Sequence, residues 1–98
     1  MKQKVYDYLR TIPKDKVSTY GRIAEYLGNK KLARTVGNIL HNNPDPNKYP
    51  CYKVVNSKGK LAENYAFGGI EAQKKLLLND GIKVKNNKVD LSVYLFLN

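Results

Sequence analysis

The stretch STYGRIAEYLGNKKLARTVGNILH, residues 18–41, decides the fold. Ser18 or Thr19 offers a side-chain oxygen to cap a helix, after which Tyr20, Ile23, Ala24 and Leu27 share one helical face. Gly28 and Asn29 tolerate the backbone turn that ends a helix. A further helix is expected over about Lys31 to His41, with Ala33, Val36 and Leu40 inward and Arg34, Asn38 and His41 together on the outward side. Two short helices joined by a tight Gly-Asn turn predict a helix-turn-helix unit whose second helix carries a polar reading face.

Upstream, Val5, Tyr8, Leu9 and Ile12 keep helical spacing until Pro13 stops it. Downstream, NNPDPNKYPC (42–51) holds three prolines, which remove backbone donors and disfavour helix before them, so an extended, stiff loop is expected. Tyr52–Val55 reads as a strand that turns at NSKG (56–59) into Lys60 and Leu61, a small hairpin placed like a wing. Gly68 and Gly69 precede a helix holding Ile70, Ala72, Leu76 and Leu77 and closing at Asp80-Gly81. Ile82 and Val84, a turn at Asn86-Asn87, then Val89 and Leu91 predict a last hairpin. The expected class is mainly α with small β hairpins, a winged helix-turn-helix-like DNA-binding domain formed as one domain over residues 1–98.

Composition agrees. The chain has 98 residues, a formal net charge of +10 and eight tyrosines. Such aromatic content argues against a disordered basic tail, and the charge suits a polyanion such as nucleic acid or an anionic membrane. No apolar run matches a membrane span or a signal peptide, which predicts an intracellular protein, cytoplasmic or nucleoid-associated, with no membrane partner. One cysteine and one histidine give no internal disulfide and no metal-ligand cluster of the usual spacing. No metal and no cofactor are expected.

Read from the residues alone, several groups carry two meanings. Cys51 is inert packing more often than nucleophile. Tyr20 serves equally as a core aromatic, Arg34 as a solvated charge, Asn43 before Pro44 as an ordinary turn residue, and His41 as a cation at a helix C-terminus.

The order STYGRIA, ARTVGNILHNNP, YPCYKVVNSKG, NYAFGG and LLNDG resembles the DNA-binding and active-site domain of O6-alkylguanine-DNA alkyltransferases, over about Val5 to Gly81. The resemblance implies a single-turnover repair reaction in which a cysteine thiolate takes the alkyl group from guanine O6. The target nucleotide must be rotated out of the duplex, at a cost of roughly a few kcal/mol. On the matching positions, Cys51 is the alkyl acceptor, Tyr20 crowds the phosphate and helps turn the nucleotide out, and Arg34 fills the vacated stack from a helix in the minor groove. Asn38 shares the reading face. Gly21, Asn29 and Ser57 fall close to phosphates. Asn43, Pro50, Tyr65, Phe67, Gly68 and Gly69 border the pocket.

Three departures stand out. Where the family has a relay histidine and an orienting glutamate, this chain has Tyr52 and Asp80, the remaining catalytic candidates. A phenol with an ordinary pKa near 10 is a poor base at neutral pH. Compensation is expected from Lys53 or a helix N-terminus stabilising the thiolate, or from Tyr52 donating a hydrogen bond to it. The family's Tyr-Ser-Gly-Gly is lengthened to Tyr65-Ala66-Phe67-Gly68-Gly69, where Phe67 either stacks on a base or packs beneath the loop. The tail KVDLSVYLF (88–96) resembles that of the alkyltransferase-like branch, which binds alkylated guanine without repairing it.

Three functions follow. The first is transfer of the alkyl group to Cys51 by a monomer acting on double-stranded DNA that contains alkylated guanine. The second is a non-enzymatic lesion sensor that marks damage for other repair proteins. The third is a plain winged-helix module whose cysteine only packs.

Overall fold

The structure, a computed structural model, describes residues 1–97. Helix α1 (Lys2–Leu9) leads to strand β1 (Ser18–Thr19), then α2 (Tyr20–Tyr26), a 3-10 turn (Lys30–Leu32) and α3 (Ala33–His41). A second 3-10 turn (Cys51–Lys53) enters β2 (Val54–Val55). It is followed by α4 (Gly69–Asn79), β3 (Val84–Lys85), β4 (Lys88–Val89) and a short α5 (Leu91–Tyr94). The molecule is mostly helical with small sheets, as expected.

The helical pair forms for the reasons legible in residues 18–41. Thr19, in extended conformation, accepts from the backbone N–H of Arg22 at 3.1 Å and caps α2. Gly28 turns the chain with φ +98°, and Asn29 caps the 3-10 turn by accepting from Lys31 N–H at 2.9 Å. The second helix therefore begins with one tight turn before the α-helix proper at Ala33. Val36, Ile39 and Leu40 are its buried face.

Helix α1 stops at Leu9, one turn short of the spacing that includes Ile12. Thr11 donates its hydroxyl to Tyr8 O at 2.7 Å, competing with the helical ladder, and Pro13 cannot continue it. Ile12 is buried all the same, in the loop beyond the helix.

The largest correction concerns the expected strand over Tyr52–Val55 and its hairpin with Lys60 and Leu61. Cys51–Lys53 coils as a 3-10 turn because Pro50 feeds it, with Lys53 N–H bonded to Pro50 O at 3.2 Å. Only Val54 and Val55 are extended, and they pair in parallel with β1, Ser18 to Val54 and Thr19 to Val55. The turn at 56–60 does close, through Asn56 N–H to Lys60 O at 3.1 Å. Residues 59–61 then run beside the last hairpin instead: Leu61 N–H bonds Asn87 O at 3.0 Å and Val89 N–H bonds Gly59 O at 2.8 Å. Gly59, at φ +84°, is where that approach is closest, since a Cβ there would meet Val89 O at 2.2 Å.

The last hairpin forms with Asn86 and Asn87 both at positive φ, 52° and 58°, the geometry a two-residue turn requires. It is shorter than expected. Leu91 opens α5, capped by Asp90, which accepts from Ser92 N–H at 3.0 Å. The chain then returns to β1: Val17 N–H bonds Tyr94 O and Phe96 N–H bonds Val17 O, both at 2.8 Å.

Two buried clusters result. One joins α1, α2, α3 and the cysteine loop through Val5, Leu9, Ile23, Val36 and Val54. The other joins the β elements to α4 through Val17, Val55, Leu77, Ile82 and Val89. Cys51 sits on the first, where the loop of residues 42–50 delivers it.

Candidate functional site

The proline-rich loop is stiff because it is bonded to itself. Asn43 donates its side-chain amide to Tyr49 O at 2.7 Å and accepts from Asp45 N–H at 3.0 Å. The Tyr49 ring stacks on Tyr6 of α1 with centroids 4.9 Å apart, and the Tyr6 hydroxyl donates to Ile39 O of α3 at 3.1 Å. The loop end is thus fixed against both helices, and Cys51 follows at 5% exposure.

The thiol lines a cleft of about 50 Å³ between α3 and the loop over residues 62–67. Tyr20, Gly37 and His41 border it on the helical side; Asn64, Tyr65 and Phe67 border it on the other. It adjoins a wider basin of about 410 Å³ that shares Tyr20, His41, Ala62 and Asn64 and adds Lys60 and Glu63. The narrow part lies well below the roughly 300–1,000 Å³ of a typical small-molecule pocket. It suits a substituent reaching the sulfur, with a ring left to the basin.

The electrostatics of the thiol run against the expected compensation. Burial pushes the Cys51 pKa up, while hydrogen bonds from Asn43 and Tyr65, and its own backbone, pull the other way without overcoming it. The Tyr65 hydroxyl is itself pushed up, first by burial, then by the charge of the neighbouring Cys51 and the hydrogen bond to it. Tyr20 is pushed up by burial and, secondarily, by Cys51. These three groups therefore share one desolvated space.

Lys53 and Tyr52 do not serve the sulfur. The Lys53 ammonium, itself buried, donates to Pro13 O at 2.5 Å and Lys14 O at 2.9 Å and lies 3.7 Å from Asp80 Oδ2. The Tyr52 hydroxyl donates to that same Asp80 oxygen at 2.5 Å. Burial, then the Asp80 bond and charge, push the Tyr52 pKa far up, so the phenol stays neutral. Tyr52, Lys53 and Asp80 form a knot that ties the 51–53 turn to the end of α4 and to the loop after α1.

The other candidates divide by place. Arg34 and Asn38 are exposed on α3, and Gly21 lies half-buried in the first turn of α2. Asn29 and Ser57 are exposed in turns to either side. Asn43 is buried behind the thiol. Pro50 lies instead on a second groove with Tyr52, Tyr65, Phe67 and Leu76, of about 400 Å³. Phe67 packs edge-on against Tyr65, centroids 5.7 Å apart, and walls both spaces. Gly68 and Gly69, at φ +116° and +77°, start α4 rather than line the cleft, and a Cβ on Gly68 would meet Ala72 Cβ at 2.7 Å.

Gln73 was not among the expected site residues. Fully buried, it accepts from Ala62 N–H at 2.8 Å and donates to Tyr52 O at 3.0 Å and Val54 O at 3.1 Å, joining the 62–67 loop to the segment that follows Cys51. Its signal was present: Ile70, Gln73 and Leu77 share a helical stripe, where an amide between apolar neighbours must be bonded inside.

Among the described residues no group of three His, Cys, Asp or Glu side chains is placed to hold a metal, and no helix is long and apolar enough to cross a membrane.

Residues 1–82 match the family described as "6-O-methylguanine DNA methyltransferase, DNA binding domain". A bifunctional methyltransferase/endonuclease of Picrophilus torridus is 43% identical over 94 residues, 96% of this chain but 31% of that protein. A DNA base-flipping protein of Vibrio parahaemolyticus is 38% identical over 92 residues, 93% of this chain and 90% of that one. The crystal structure of Schizosaccharomyces pombe Atl1 with damaged DNA containing O6-carboxymethylguanine superimposes with a TM-score of 0.87 at 33% identity, covering 99% of this chain and 94% of that one.

Proposed function

The chain belongs to the family of the 6-O-methylguanine DNA methyltransferase DNA-binding domain, and from that premise we propose that it binds duplex DNA, turns out an O6-alkylated guanine and takes the alkyl group onto Cys51. One observation carries this reading: the sulfur lines a cleft together with Tyr65, and Tyr20 stands at the opening to a wider basin. The S–C bond forms as the C–O6 bond breaks; the thiol proton is lost to solvent and the guanine regains one. No cofactor enters, and the acceptor is consumed.

Each remaining group has a role in this reading. Arg34 and Asn38 face the duplex from α3, with Gly21, Asn29 and Ser57 near phosphates. Residues 59–61 with β3 and β4 stand as the wing of a winged helix-turn-helix. Tyr52 and Asp80 act as a strut that holds the 51–53 turn, not as a proton relay. The protein works as a monomeric single domain where DNA is, in the cytoplasm or nucleoid.

A second reading, a lesion sensor that other repair proteins recognise, is favoured by the thiol's upward shift and by Tyr52 being held neutral against Asp80, away from the sulfur. One experiment separates them: incubation with an O6-methylguanine duplex followed by intact mass. A stoichiometric gain of one methyl group, absent in Cys51→Ser, is the result expected. Tight lesion-preferring binding with no gain supports the sensor, and no lesion preference overturns both.

Arg34→Ala should weaken binding to the lesion duplex on the order of tenfold more than binding to undamaged duplex, because only the former contains the gap to be filled. Fluorescence anisotropy with both duplexes checks this; equal losses reduce Arg34 to a phosphate contact.

A further inference from the structure

Beside the basin, three short stretches of chain lie edge to edge. β3 and β4 pair through Val84 with Val89 and Lys85 with Lys88, and Lys60 pairs antiparallel with Lys88 on the free side of β4. Residues directly opposite in such a ladder project to one face. Val89 and Val84 turn toward Leu77 and Ile82 in the core. Lys60, Lys88 and Lys85 therefore form a transverse row on the outer face, and all three are exposed.

The bonds from Leu61 to Asn87 and from Val89 to Gly59 flank the Lys60–Lys88 pair and leave it non-hydrogen-bonded. In that arrangement Cα atoms approach to about 4.5 Å and side chains come closest. Neither ion pair among the described residues involves these lysines. Of the nearby acids, Asp90 is occupied in capping α5 with Ser92, and Glu63 lies on the basin wall. Like charges opposed across strands destabilise a sheet. The row costs the free protein stability, a cost that a polyanion lying across it removes.

Its position adds a second, independent indication. Lys60 also lines the basin that continues from the Cys51 cleft past Tyr20 and His41. The row begins at that basin and leads away from it, over about 10 Å at the usual cross-strand spacing. The long, flexible lysine side chains spread over that length can each reach a phosphate of one strand.

We propose that Lys60, Lys88 and Lys85 form a second DNA-backbone grip, separate from the face of α3, which holds the strand beside the turned-out nucleotide. The proposal rests on the DNA-binding reading above.

The test is anisotropy titration of a duplex from 50 to 200 mM salt, with the parent, with Lys60→Gln/Lys85→Gln/Lys88→Gln, and with the charge-matched control Lys2→Gln/Lys4→Gln/Arg10→Gln. The triple row variant should lower the slope of log affinity against log salt by about 2.7, at about 0.9 per phosphate contact. Over that fourfold salt range the parent then loses about 40-fold more affinity than the variant. A slope parallel to the parent's, or an equal change in the control, overturns the grip while leaving DNA binding intact. A parent that binds no duplex sinks the underlying reading as well, and is recognised by having no slope to compare. Lys88→Glu sets a carboxylate between Lys60 and Lys85, so it should melt above the parent yet bind DNA more weakly; undiminished binding overturns the proposal.

Discussion

A Gln73→Leu variant is expected to lose on the order of 3–5 kcal/mol of folding stability, from the three backbone groups it leaves without partners. Leucine fills similar volume, so the loss does not come from a cavity. It comes from Ala62 N–H and the carbonyls of Tyr52 and Val54, each bonded by the amide. For a domain of this size, total stability is about 5–15 kcal/mol, so the melting temperature should fall by roughly 15–30 °C. Gln73→Glu keeps the acceptor for Ala62 but turns an anion toward two carbonyls. It should match or exceed the leucine variant at neutral pH and recover in acid as the carboxyl regains a proton. Urea and thermal unfolding at two pH values read this directly. A loss under 1 kcal/mol for both variants shows that water takes over the amide's bonds.

Alkylation of Cys51 should keep accelerating as pH rises from 7 to 9, because the thiolate is the nucleophile and its pKa is held above the ordinary thiol value. Tyr65→Phe removes one of the two side-chain donors that favour the thiolate. A hydrogen bond to a charged group contributes about 1.5–3 kcal/mol, so the reactive fraction should fall about 10–100-fold. The measurement is methyl transfer, or modification by a small electrophile, followed by mass across pH. A rate that plateaus near pH 7 would mean an activated thiol and would contradict the burial argument. The same shift bears on folding. A thiol whose pKa is higher folded than unfolded contributes stability fully below its unfolded value, and that contribution is lost as pH rises through the folded one. Tyr20 and Tyr65 are raised in the same sense, so the fold around the cleft should weaken above about pH 9.

Much of this arrangement was legible in the chain. Thr19 as a cap, Gly28 and Asn29 as the turn, and Asn86 with Asn87 as a hairpin tip follow from local backbone preference, which sequence records well. The partner of Val54–Val55 is another matter. A two-residue parallel pairing with Ser18–Thr19 is settled by the two cores meeting there, while the nearby NSKG turn suggests an antiparallel return that local rules favour. The site divides similarly. Cys51, Tyr20 and Tyr65 line one cleft, a grouping that the family resemblance implies and that residue spacing alone left open. Lys53 did not reach the sulfur because two backbone carbonyls and Asp80 offer a buried ammonium more than a thiol can.

The parallel ladder between residues 18–19 and 54–55 has a consequence for how the sulfur is guarded. No tight turn closes such a ladder; it waits until α2, α3 and the proline loop have found one another, since long-range pairings come late and local helices early. Until then the cysteine is an ordinary open thiol, ionising more readily than it does once enclosed. Completing the fold therefore slows the nucleophile, and a finished molecule should react with stray electrophiles less readily than a half-assembled one.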